Sequence, residues 1–323
     1  MVEVTQKLEM FWTHVKQVSS FVTADRDHGG ITATPGGSGM SALHVIDIDD
    51  GAPAAAVVAH RPQSLLLSFF GALVVDFDLP PLPSMVLLDL LADLGVTEAA
   101  ARATLKRLTQ RGLLSRGQVG RTAEYALTPL AEDVIREARE RVASPTPFDH
   151  PDGEWTLLSY SVPESRRDLR HRVRARLTWA GFGGVRDGLW IAPGTVDVAS
   201  VLGRSDLADV AALADAFAAR ALPGTDIDRL VHRAWDVPAI REAHEWFIAA
   251  WSRPPRVSGS LAQLTLVGAD WLRLLRTDPG LPAAQLAPDW PAAGSSALYR
   301  RVFDGLEPAA RAALQRSLRA SGR

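Results

Sequence analysis

Between Arg102 and Arg121 the chain carries Arg102, Lys106, Arg107, Arg111, Arg116 and Arg121, with no acidic residue among them. Guanidinium and ammonium groups in such a run bind phosphate oxygens, and arginine, lysine or glutamine can also pair with base edges. The spacing decides how they are presented. On a helix, Ala99, Ala103, Lys106 and Gln110 share one side, flanked by Arg102 and Arg107, while Ala101, Leu105 and Leu108 share the other. The alanines let that side approach a duplex closely. Arg102, Lys106 and Gln110 are therefore expected to read bases, and Arg107, Arg116 and Arg121 to hold phosphates. Thr97, at the start of the segment, is the expected N-cap and joins this DNA-binding set.

A second basic cluster comprises Arg166, Arg167, Arg170, Arg172, Arg174 and Arg176. On a helix it surrounds a Leu169, Val173, Leu177 stripe. The plainer reading is surface arginine paired with nearby acids. The functional reading is an anion site, for DNA backbone or a phosphorylated effector, with Arg166, Arg170 and Arg174 as its candidates. Catalytic patterns are poor. The histidines are scattered without H-x-x-x-H or H-E-x-x-H spacing, no phosphate-binding glycine loop opens a helix, and no G-x-S-x-G occurs. His44 with Asp47, Asp49 and Asp50 reads as a solvated acidic run, and His232 and His244, beside aromatic helices, read as structural. The expectation is no enzyme, no metal and no cofactor.

The elements that must position the first cluster follow from periodicity. Gln63–Val75 and Met85–Leu94 read as helices, separated by Pro80, Pro81 and Pro83. Gly95 supplies a C-cap before the helix Glu98–Arg111. Leu113–Arg116 and Glu124–Leu127 read as short strands, with Gly117–Thr122 turning between them: a helix-turn-helix followed by a wing. Thr128-Pro129 opens a further helix, and the proline-rich stretch from Ala143 to Gly153 reads as a linker. Beyond it, strand, helix, hairpin and a guessed last strand give β-α-β-β-α-β order, a ferredoxin-like arrangement. From Asp226 onward the pattern is helical, and the tryptophans gathered there read as core.

At 323 residues, 47% hydrophobic and 22% charged, the chain has room for two or three domains. A net charge of −2 argues against indiscriminate nucleic-acid binding but permits one basic element to do it. There is no cysteine, no apolar run long enough to span a membrane and no signal peptide, so a reducing cytoplasm is expected. Two of the three lysines, Lys7 and Lys16, precede the glycine-rich stretch ending at Gly39. This predicts a native start at Met40, which a native peptide from upstream would refute.

Several stretches together resemble the PaaX-type repressors of phenylacetate catabolism. They are Arg61-Pro62-Gln63-Ser64-Leu65-Leu66-Leu67, the segment ending Arg111-Gly112-Leu113-Leu114, Val119-Gly120-Arg121, Tyr125-Ala126-Leu127-Thr128-Pro129, Trp155-Thr156-Leu157-Leu158, Gly188-Leu189-Trp190-Ile191-Ala192-Pro193, Ala234-Trp235-Asp236, and Asp278-Pro279-Gly280-Leu281-Pro282 with Pro288-Asp289-Trp290-Pro291. The resemblance implies a homodimer that binds a palindromic operator on double-stranded DNA and releases it when an aromatic acyl-CoA effector, typically phenylacetyl-CoA, binds. It also implies a middle domain like that of the CRISPR-associated Cas2 nucleases. Here the first strand ends Ser159-Tyr160-Ser161, without the metal-binding aspartate of those nucleases. Val267-Gly268-Ala269-Asp270-Trp271 departs from the family pattern too, which would suit a different thioester.

The expected fold is therefore α+β and multidomain. Residues 1–59 form a mobile extension, 60–142 an N-terminal winged helix-turn-helix domain, 154–225 a ferredoxin-like domain and 226–323 an α-helical C-terminal domain. A winged-helix protein-interaction module without sequence-specific DNA binding is the alternative reading.

Overall fold

Pro62 sits in the first turn of α1 (Pro62–Leu73), where its missing N–H costs nothing, and the helix buries Leu65, Leu66, Phe69, Phe70 and Leu73. The computed structural model describes residues 60–321 apart from 76, 78, 150–152, 163–165, 203–209, 211–212 and 256. The expected extension, the Met40 start and the His44 cluster lie outside the described residues. A two-residue strand β1 (Leu82–Pro83) leads into α2 (Ser84–Asp93). Gly95, at φ 77°, then turns the chain into α3 (Glu98–Gln110), a conformation that costs a Cβ-bearing residue more than glycine.

Strands β2 (Leu114–Val119) and β3 (Thr122–Leu127) form an antiparallel hairpin, and β1 adds to it in the order β1-β3-β2. This wing is longer and tighter than the sequence suggested. Val119 pairs with Thr122, so the turn is only Gly120-Arg121, not Gly117–Thr122, and Arg116 lies within a strand. The ladder continues through Gly117 and Gln118 because, with Gly120 at φ 58°, the chain reverses in two residues. Thr128 caps α4 (Pro129–Ala143), its Oγ1 accepting from the Ala131 N–H at 3.3 Å.

The middle domain has strands β4 (Trp155–Tyr160), β5 (Gly183–Arg186), β6 (Leu189–Pro193) and β7 (Ala214–Ala219) in the antiparallel order β5-β6-β4-β7. Helices α5 (Arg167–Trp179) and α6 (Val198–Leu202) fall between them as a ferredoxin-like fold requires. Leu169, Val173 and Leu177 of α5 pack with Leu158 and Phe182 into this domain's own core.

Four helices follow: α7 (Ile227–Ala234), α8 (Val237–Ser252), α9 (Gly259–Thr277) and α10 (Ala292–Ala320). Every residue of α9 from Leu264 to Trp271 is buried, the pattern of a helix enclosed on all sides. It lies between α10 and α1, so that the winged helix and the C-terminal helices share one core. At the α1–α9 crossing, a Cβ on Gly268 would stand 2.3 Å from Ser68 Oγ, which itself donates to the Thr265 carbonyl at 2.7 Å. Only a hydrogen fits there.

The stretch read as a linker is no free tether. Phe148 is buried, packed edge-on to His244 at 4.9 Å and to Trp271 at 5.5 Å between ring centres. An aromatic side chain among prolines and small residues found apolar neighbours, and burying it outweighs the loss of chain freedom.

Candidate nucleic-acid interface

Helix α3 presents two unlike faces. Ala101, Thr104, Leu105 and Leu108 are buried against the rest of the domain. Ala99, Arg102, Ala103, Lys106, Arg107 and Gln110 are all exposed, a continuous strip along the opposite face. Thr97 Oγ1 accepts from the Ala100 N–H at 3.4 Å, so its hydroxyl serves the helix start while the residue stays exposed. Arg102 pairs along the helix with Glu98 at 2.7 Å. Both side chains are more than 60% exposed, so the pair is weak and easily exchanged for a phosphate. Arg116 and Arg121 project from the wing and are exposed, Arg121 at its tip. The seven residues singled out from the sequence are all exposed on α3, its N-cap and the wing, whereas Arg111 at the end of α3 is half-buried.

The second arginine cluster is placed differently. Arg170 donates to the Val162 carbonyl at 3.0 Å, and Arg174 pairs with Asp187 of the β5–β6 turn at 2.8 Å. Arg176 is buried and donates to the Val201 carbonyl at 2.9 Å, while Arg166 is exposed at the helix start. Of the three effector candidates, Arg170 and Arg174 thus serve contacts within the middle domain.

Sequence reasoning missed a polar network in the C-terminal helices. His244 Nε2 meets Asp278 Oδ2 at 2.8 Å and His244 Nδ1 meets Ser295 Oγ at 2.7 Å. Asp278 Oδ1 accepts from the Gly280 N–H at 2.7 Å, and its carbonyl accepts from Arg141 of α4 at 3.2 Å. The residue types are those of a hydrolytic triad, yet none of the three is more than 2% exposed. A serine without surface cannot meet a substrate, so the arrangement acts as a strut joining α8, α10 and the turn after α9. Asp270, two turns earlier in α9, meets His60 at 2.9 Å and the Trp251 indole N–H at 3.0 Å.

Three family profiles match the chain: PaaX-like protein over residues 61–131, the PaaX protein central Cas2-like domain over 149–231, and the PaaX-like protein C-terminal domain over 235–316. The chain belongs to the PaaX family. Family membership makes it, in general terms, a transcriptional regulator of phenylacetate catabolism. A solved structure, of the uncharacterized protein Rv0674 from Mycobacterium tuberculosis, is 24% identical over 79% of this chain and 98% of that one, with a TM-score of 0.53. That likeness supports the fold. No curated protein matches the chain. Among the described residues, no helix of this PaaX-family chain is long and apolar enough to cross a membrane.

One PaaX-like motif carried a signal that residue patterns alone did not. Asp278-Pro279-Gly280, noted for its resemblance, is where α9 ends and where the winged helix, the middle domain and the C-terminal helices meet. Two residues before it stands Arg276, a cation in the last turn of α9.

Proposed function

We propose that the protein is a cytoplasmic repressor of an aromatic-acid catabolic operon, released from DNA by an aryl-acyl-CoA such as phenylacetyl-CoA. The observation that carries this reading is the exposed strip of Arg102, Lys106, Arg107 and Gln110 beside the wing, with its alanines unobstructed. Two copies bound to a palindrome would place two α3 helices in successive major grooves, about 34 Å apart. Three phosphate-holding side chains per copy, Arg107, Arg116 and Arg121, make six contacts per dimer. Affinity should then fall about a thousandfold between roughly 50 and 200 mM salt. Gel retardation of the gene's own upstream region at both concentrations tests this. A shift that competitor DNA of random sequence removes equally well would leave only nonspecific binding.

A second copy has a place to bind. Among the described residues β7 pairs only with β4, leaving its outer edge open, and Phe217 at its centre is 61% exposed. Antiparallel pairing of two β7 edges about a two-fold axis covers both. Phe217→Asp is expected to reduce the solution mass from twice 34.8 kDa to that of one chain, as read by light scattering. An unchanged dimer would move the interface elsewhere.

A further inference from the structure

Where α4, the middle domain and the end of α9 come together there is a cleft of about 350 Å³. Arg141 and Thr146 line it from the winged-helix side, Ala180 and Ala192 from the middle domain, and Arg276 and Pro279 from the end of α9. Most of this lining is apolar. On its C-terminal side the charged residues are Arg276 and Asp278. The Arg276 side chain is half-buried and lines the cleft with water still in reach.

Among the described residues, no hydrogen bond or ion pair satisfies Arg276. The one carboxylate in the lining, Asp278, is committed to His244 and the Gly280 N–H, and only its carbonyl turns back, to Arg141. Burial, together with the like charge of Arg273, pushes the Arg276 pKa down to about 10, which still leaves it cationic at neutral pH. A half-buried, charged guanidinium with no protein acceptor among the described residues keeps its fork of donors free for an anion entering the cleft. Arg141, across the cleft, is a second cation with a single carbonyl partner among the described residues.

We propose that this cleft binds a small-molecule oxyanion, a carboxylate or a phosphate on a compact apolar body, with Arg276 as its principal partner and Arg141 assisting. The site rests on the repressor reading only for its role as an effector site. Its volume matches one end of a large ligand rather than an entire acyl-CoA. Because its walls come from three parts of the chain, an occupant bridges them. Occupancy therefore biases the angle between the winged helix and the middle domain, to the extent that the ligand prefers one arrangement.

The test uses the full chain with four probes: inorganic phosphate, phenylacetate, phenylacetyl-CoA and, as the neutral control, phenylacetamide. Thermal shift and titration calorimetry should show binding of at least one oxyanion and none of the amide. The responding probe distinguishes a free anion, a carboxylate and the phosphates of a thioester. Arg276→Met should weaken that binding at least tenfold and melt no lower than wild type without ligand, since no hydrogen bond or ion pair among the described residues is lost. Arg276→Lys, which keeps the charge but loses the planar fork, should fall between the two. The site is overturned if wild type binds none of the oxyanions, if either variant binds like wild type, or if Arg276→Met melts several degrees lower or fails to fold. Ligand-free DNA retardation on the same samples separates the two ideas. DNA retarded with no oxyanion bound sinks the site alone, and an oxyanion bound with no DNA retarded sinks the repressor alone.

Discussion

Replacing Arg102 and Lys106 together with alanine will abolish operator retardation and leave the fold intact. Each base-reading side chain contributes about 1–3 kcal/mol of discrimination, and the double substitution removes two from each of two half-sites. The minimum expected loss is therefore about 4 kcal/mol, or roughly a thousandfold in affinity. Stability changes little because both side chains are exposed. The only described ion pair lost, Arg102 with Glu98, is a surface pair worth a few tenths of a kcal/mol, and alanine is the better helix former. Retardation and thermal melting on the same preparation check both halves. Undiminished retardation with a normal melting curve would remove α3 as the reading element.

Asp278→Ala carries the largest expected effect on stability, a loss of about 3–5 kcal/mol in urea unfolding followed by tryptophan emission. The carboxylate is 2% exposed and satisfies both His244 and the Gly280 N–H, so its removal strands two buried polar groups at once. A His244→Leu and Asp278→Ala cycle identifies the cause. The double variant should lose clearly less than the sum of the singles, because each single leaves the other partner unpaired. Additive losses would mean that the two residues act separately.

The winged helix and the middle sheet were legible because their signals are local. The apolar stripe Ala101, Leu105, Leu108 lies within one helix, Gly95 and Thr97 mark a turn, and the strand order follows from alternating short elements. The cationic strip was legible for the same reason. What the pattern could not supply was pairing at a distance. His244 finds Asp278 34 residues away and Ser295 51 residues away, and no period links them. Phe148 looked like part of a proline-rich tether because its partners, His244 and Trp271, lie far along the chain. Arg276 was overlooked because its significance lies in the partner it lacks, which only packing reveals.

The crossing of α1 over α9 at Gly268 bears on how such proteins can be recombined. A severed piece ending near residue 142 would lose α9 from the core it shares and present to water the face of α1 around Ser68 that α9 otherwise covers. It would clump rather than fold. A swap of operator preference between relatives therefore has to exchange the outward residues of α3 alone, or else carry the distant C-terminal helices along with the graft.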